Sequence, residues 1–226
     1  MIVGHQKPFE EIKASIAGYR KVLVLGCGTC VSVCLTGGDR QAQILASDLV
    51  QKNGTRQNQP DLEVKTIERQ CERDLLKNFL KISKGTEAIL SLACGAGVQT
   101  LVDVFGELPV IPALNTTFLG ALDEPGVWNE KCQGCGDCIL AATGGICPVA
   151  RCAKRLFNGP CGGSSGGRCE ISAIVGRHID CVWQLIIDRL KVLGRLDEYT
   201  DYRPPKDWSA ETAKGPRTLD HTKAQS

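Results

Sequence analysis

The sequence predicts a doubly wound parallel α/β sheet followed by an irregular cysteine-rich segment that closes on a C-terminal helix. Three observations predict it. Short apolar runs alternate with amphipathic helical stretches through roughly the first 122 residues. The first and third of these runs lead directly into a cysteine, Cys27 and Cys94. Eight of the 13 cysteines then fall between Cys132 and Cys181, where periodic patterning largely disappears.

Taken in order, residues 1–20 read as an amphipathic lead-in helix with Phe9, Ile12, Ile16 and Tyr19 on one face. Lys21–Gly26 is an apolar run ending in glycine, as expected of a buried parallel strand. A glycine- and cysteine-rich loop extends to Gly38, and Arg40–Lys52 reads as a helix stopped by Asn53-Gly54. The unit repeats. Leu62–Ile67, Ala88–Ala93 and Pro109–Leu114 are strands, with helices over Arg73–Ser83 and Val98–Phe105 between them. This rhythm gives a Rossmann/flavodoxin-like domain over residues 1–122, and Asp123-Glu-Pro-Gly126 reads as its boundary. Residues 123–202 form the cysteine-rich region, whose helical pattern returns only at Val182–Leu193. The 203–226 tail, with Pro204-Pro205, reads as disordered or partner-binding.

Composition narrows the function. A net charge of +2 gives no footprint for nucleic acid or an anionic membrane surface. No run approaches the roughly 18 apolar residues of a membrane span. The N-terminus lacks the apolar core of a signal peptide, so a cytoplasmic chain is expected. In a reducing cytosol, cysteines at this density point to metal binding or redox chemistry and away from disulfides, and the odd total of 13 fits complete pairing poorly.

Cys27 and Cys94 follow strands directly, Cys71 lies a few residues past a third, and Cys30 and Cys34 sit in the loop after the first. In a right-handed parallel sheet these strand ends share one edge, the edge at which open α/β sheets bind ligands. Five cysteines from distant parts of the chain therefore converge. A cubane cluster needs four, which leaves one spare, with Cys34 and Cys71 the candidates. The plain alternative is that Cys71 and Cys94 are ordinary core thiols. Gly26-Cys27-Gly28 also opens like a dinucleotide fingerprint, but Val31 stands where its third glycine belongs. Gly26, Gly28 and Gly95 are the candidate cofactor-binding glycines of this edge, where a flavin (FMN) is the alternative ligand.

The second group begins with Cys132, Cys135 and Cys138, two residues between each pair, followed by Cys147-Pro148. Thiolates at this spacing grip one centre without straining the backbone, and a Cys-Pro after such a run is the ferredoxin pattern whose last cysteine serves a second cluster. Cys152, Cys161, Cys169 and Cys181 complete the set, enough for two clusters of four. The expected partition gives Cys132, Cys135 and Cys138 to one. It gives Cys147, Cys152, Cys161 and Cys169 mostly to the other, with Cys181 completing the count. Zinc is the alternative metal, since it too favours Cys-x2-Cys pairs. Three even spacings, the Cys-Pro and the surrounding glycines favour 4Fe–4S clusters, two or three in all. His178 reads as a solvated side chain.

Asn158-Gly-Pro-Cys-Gly-Gly163, Gly167-Arg-Cys-Glu170 and Asp180-Cys-Val-Trp183, together with Gly26-Cys-Gly-Thr-Cys30, Ser91-Leu-Ala-Cys-Gly95, Arg189–Leu196 and Pro205-Lys-Asp-Trp208, carry a resemblance. They resemble the small cysteine-rich subunit that accompanies methylenetetrahydrofolate reductase in acetogenic and related anaerobic bacteria, a module also found as a C-terminal extension of some reductases. The resemblance implies iron–sulfur clusters that deliver electrons to a flavin-containing catalytic subunit, with ferredoxin or another electron-donor subunit upstream, in the Wood–Ljungdahl branch of one-carbon metabolism. It implies an electron-transfer subunit of an oxidoreductase complex that carries no catalytic residues itself. One stretch departs from the pattern: Ile171–Ile179 is apolar where a more polar loop is expected.

Overall fold

The computed structural model describes residues 1–51, 60–208 and 216–218. The Lys52 end of the first long helix and its Asn53-Gly54 stop lie outside the described residues. The chain divides into two compact units, Met1–Asn129 and Glu130–Ser226.

The first unit is an α/β layer structure. Four parallel strands, β2 (Lys21–Cys27), β3 (Asp61–Ile67), β4 (Ala88–Leu92) and β5 (Val110–Pro112), run in the order β3-β2-β4-β5. Side chains alternate across a strand, so β2 feeds two cores. Val22 and Val24 pack with Ile12 and Ile16, and with Ala42, Leu45 and Leu49 of α3 (Asp39–Gln51). Leu23 and Leu25 face the other way, onto Leu76 of α4 (Arg73–Phe79) and Leu101 of α5 (Gly95–Val104). Helices cover both faces, which is why β2 and β4 read as unbroken apolar runs.

The N-terminal expectation needs correction. Residues 1–20 are not one helix: β1 (Ile2–Gln6) precedes α1 (Phe9–Ser15), and Pro8, whose ring fixes φ at −52°, marks the start of α1. β1 pairs antiparallel with β6 (Leu114–Glu124), and β7 (Val127–Cys132) lies on the other side of β6. Pro125-Gly126 makes the turn between β6 and β7, with Gly126 at φ +87° where a Cβ would be strained.

The second unit has little regular structure. Among the described residues its α-helices are α6 (Pro148–Arg151), α7 (Ser172–Val175) and α8 (Val182–Val192), with 3-10 turns at Leu140–Thr143 and Leu196–Thr200. Val182, Trp183, Ile186 and Leu190 of α8 form a small core with Ile146, Leu156 and Tyr199 beside it. Trp183 donates its indole N–H to the Leu156 carbonyl at 3.0 Å and meets the Tyr199 ring edge-on. The apolar Ile171–Ile179 stretch contains α7, on which Ile174 is exposed. The buried Ser172 hydroxyl both donates to and accepts from the Ile179 backbone. Among the described residues no helix is long and apolar enough to cross a membrane.

Candidate metal centres

All thirteen cysteines are free thiols. In the first unit the parallel register brings the ends of β2, β3 and β4 level: Cys27 stands opposite Ile67, and Gly26 opposite both Thr66 and Leu92. The strand order reverses between β2 and β4, the switch point at which sheets of this kind bind ligands. Cys27 ends β2 on one side of that crevice, and Cys94 precedes α5 on the other. Cys71 joins them. Partial removal from water raises its thiol pKa, and the nearby Cys94 and Cys27 thiols raise it further. Cys30 opens the short α2 (Cys30–Val33) in the loop after β2.

The two thiols expected to compete for the spare place have different environments. Cys34 is buried, with its sulfur 3.1 Å from the Thr36 hydroxyl, 3.5 Å from the Val31 carbonyl and 3.9 Å from the Gly4 carbonyl. It has the surroundings of a satisfied core thiol. Cys71 is an exposed residue beside two other cysteines. Its position depends on Gln70, which the sequence reading missed. Gln70 is fully buried, donates to the Leu25 carbonyl at 2.9 Å and accepts from the Ser91 hydroxyl at 2.6 Å. It ties β2 to β4 just beneath the edge. A glutamine directly before a cysteine and a serine within an apolar strand were the available signals.

Of the three edge glycines, Gly26 has a local packing reason. A Cβ on Gly26 would come within 2.6 Å of the Thr66 hydroxyl. Gly28 donates its N–H to the Ile67 carbonyl at 2.9 Å, and Gly95 donates to the Thr116 hydroxyl at 2.8 Å.

In the second unit Cys152, Cys161, Cys169 and Cys181 line one cavity, together with Lys154, Glu170, Ile171, Val182 and Trp183. They come from four separate stretches, and the backbone explains how two of them meet. Residues 165–168 form a tight turn, Arg168 bridges to Asp180, the Cys169 N–H donates to the Ile179 carbonyl, and the Cys181 N–H donates to the Gly167 carbonyl. This antiparallel clip lays Cys169 beside the start of α8, where Cys181 is the N-cap. Gly163 packs so closely on the Glu170 side chain that a Cβ would overlap its carboxylate. Lys154 pairs with that carboxylate, which holds the ammonium above its ordinary pKa, with the Cys161 sulfur adding to the effect. The same lysine lowers Glu170.

Of the five cysteines expected to serve the second cluster, Cys152, Cys161, Cys169 and Cys181 line this cavity, and Cys147 is not among its walls. Cys147 precedes α6, with Pro148 as the first helical residue. The clip between Gly167 and Cys181 lays Cys181 beside Cys169.

Cys132 ends β7, and Cys135 and Cys138 follow in a loop in which Gly134 and Gly136 take φ of +63° and +82°. The Gly134 N–H points at the Cys132 sulfur at 3.3 Å, and the Cys135 thiol donates to the Asp137 carbonyl at 3.6 Å. His178 is exposed and pairs with Asp180 at 2.9 Å. Among the described residues no three His, Cys, Asp or Glu side chains stand at the spacing of one bound metal ion.

Four cysteines and no histidine are among the residues that line the cavity of the second unit; thiolate ligands in general suit iron–sulfur clusters and zinc alike. No curated protein and no solved structure matches the chain. Residues 111–209, which hold all eight cysteines of the second group, match the family model described as Methylene-tetrahydrofolate reductase C terminal.

Proposed function

We propose that this chain is a non-catalytic electron-transfer subunit of a methylenetetrahydrofolate reductase complex, holding 4Fe–4S clusters on its cysteines and passing electrons to the flavin of a catalytic partner. The observation that carries this reading is the ring of Cys152, Cys161, Cys169 and Cys181 around one cavity inside the matched segment. Each thiolate of a cubane cluster grips a different iron, so its four ligands come from around one volume, and four cysteines are among the residues that line this cavity. With that set complete, Cys147 becomes the fourth ligand for Cys132, Cys135 and Cys138. At the sheet edge Cys27, Cys71 and Cys94 are joined by Cys30, and Cys34 is the spare. Clusters held in these places would supply one-electron transfer.

The chain's own residues would set how that transfer runs. The Gly134 amide already donates to a sulfur, and such bonds tune potential. Val182, Trp183 and Ile171 wall one side of the cavity with apolar surface and limit the water that reaches it. Gln70 holds the loop of Cys71 against β2 and β4. Ferredoxin or a further subunit is the proposed donor, and a flavin-bearing reductase the acceptor.

Anaerobic purification of the full chain tests this. Iron and acid-labile sulfide in equal amounts, broad absorbance near about 400 nm and a paramagnetic signal after dithionite are expected. Protein holding only zinc would overturn the electron-transfer reading and leave a structural adaptor. Flavin released on denaturation would move the redox role to the edge beside Cys27.

A further inference from the structure

The C-terminal segment places a buried cation against the Cys132–Cys138 loop. The Lys206 side chain is completely shielded from solvent. Its ammonium donates to the Asp137 carbonyl at 2.8 Å and lies 3.2 Å from the Asp137 carboxylate. The Asp137 carbonyl is the acceptor that the Cys135 thiol also uses, so the ammonium and that sulfur stand no more than two hydrogen-bond lengths apart. A second cation from the same segment, Arg217, donates to the Gly134 carbonyl at 3.1 Å.

Lys206 is held there by several contacts. Its ammonium lies 5.7 Å from the centre of the Trp208 ring, which also carries Arg155 at 5.4 Å and meets Phe157 edge-on. Upstream, Asn158 and Arg203 exchange two hydrogen bonds of 2.8 Å each through the Asn158 side-chain amide and the Arg203 backbone. The Arg203 guanidinium also donates to the Ala142 and Glu198 carbonyls. The strap is therefore pinned on both sides of Lys206.

Burying an ammonium is expensive unless something nearby rewards the charge. Asp137 returns part of that cost, but its carboxylate is 55% exposed and its field is screened by water. The shielded ammonium acts through a lower dielectric on its other neighbour, the sulfur loop. Four thiolates around a cluster leave a net negative charge that grows on reduction, and local charge is one of the levers on cluster potential.

We infer that Lys206 is a potential-setting residue: its fixed charge favours the reduced state of the cluster held by Cys132, Cys135 and Cys138, making that cluster easier to reduce than it would be without the charge. This inference rests on the proposed iron–sulfur reading. It is not a catalytic role, since Lys206 acts through the loop.

The test is a dithionite potentiometric titration, read by paramagnetic resonance, on anaerobic full-length wild type, Lys206→Met and Lys206→Arg, with iron counted in each. Lys206→Met should keep its iron and shift one cluster's midpoint to a more negative value, while the other signals stay in place. Lys206→Arg should titrate close to wild type. Equal midpoints in wild type and Lys206→Met, at full iron content, overturn the inference and leave the iron–sulfur reading intact. Wild type without iron overturns both. Should Lys206→Met lose iron, retention in Lys206→Arg supports the charge, and equal loss from both variants shows that packing alone held the strap.

Discussion

The two units of this chain solve the problem of stability differently. The first buries two apolar layers, one on each face of a four-stranded sheet, with Val22, Leu23, Val24 and Leu25 all fully removed from solvent. The second has one small cluster built on α8, and its remaining segments are turns and short helices. A segment with so little apolar burial lacks the usual driving force for order. Structural metal sites contribute folding free energy directly in domains of this kind. On the proposed metal-bound reading the contrast separates the cysteines: those of the first unit sit on a sheet with its own apolar core, whereas those of the second would help to hold their unit together through the metal.

Removing the metal should break the comparison open most widely. Anaerobic chelation of the iron is expected to abolish hydrogen-exchange protection of α8 and to leave the amides of β2 and β4 protected. Cys161→Ser and Cys169→Ser should reproduce this, since each takes one of the four sulfurs from the cavity wall. Full protection of α8 in metal-free protein would show that its apolar stripe suffices.

Core truncations come next. Trp183→Ala removes the largest side chain of the second unit and its hydrogen bond to Leu156, and should cost about 3–5 kcal/mol, read as a lowered midpoint for α8 exchange and loss of iron. Leu90→Ala in the first unit should cost about 2–5 kcal/mol, with the iron of the Cys152–Cys181 cavity retained. Loss of that iron in Leu90→Ala would mean that the units do not stand independently. Ser91→Ala is milder. It leaves the Gln70 side-chain carbonyl without its donor and should cost about 1–3 kcal/mol in chemical denaturation of the first unit.

Most of the sheet was legible because a strand covered on both faces is predominantly apolar, as β2 is and as β4 is apart from Ser91. The convergence of Cys27, Cys71 and Cys94 followed from strand order and handedness alone. Three features were not legible. β1 was hidden because Ile-Val-Gly-His-Gln gains its meaning only from pairing with β6, more than a hundred residues later. Gln70 and Ser91 look like surface residues by type, yet both are fully buried, where they satisfy each other and the Leu25 carbonyl. That Cys181 lines the same cavity as Cys169 depends on a clip of backbone hydrogen bonds between residues 165–181, which spacing does not encode.

The smallest effect separates Cys34 from Cys71. Cys34 is enclosed by Val31, Thr36 and the Gly4 carbonyl, so Cys34→Ala should leave the iron of the first unit unchanged, whereas Cys71→Ala should remove it. The metal-free protein gives a second readout. Partial burial and the neighbouring Cys94 and Cys27 raise the Cys71 pKa in the folded state. At any pH below that raised value the folded chain holds a smaller thiolate fraction at Cys71 than the unfolded chain does, and thiolate is the reactive form. Alkylation of Cys71 by iodoacetamide should therefore be slower in folded than in denatured protein at mildly alkaline pH, with the gap closing as pH climbs through the folded pKa. Cys94→Ala should narrow the gap by removing one source of the shift. Equal rates in folded and denatured protein, or no response to Cys94→Ala, would separate Cys71 from the edge group and return it to the role of an isolated surface thiol.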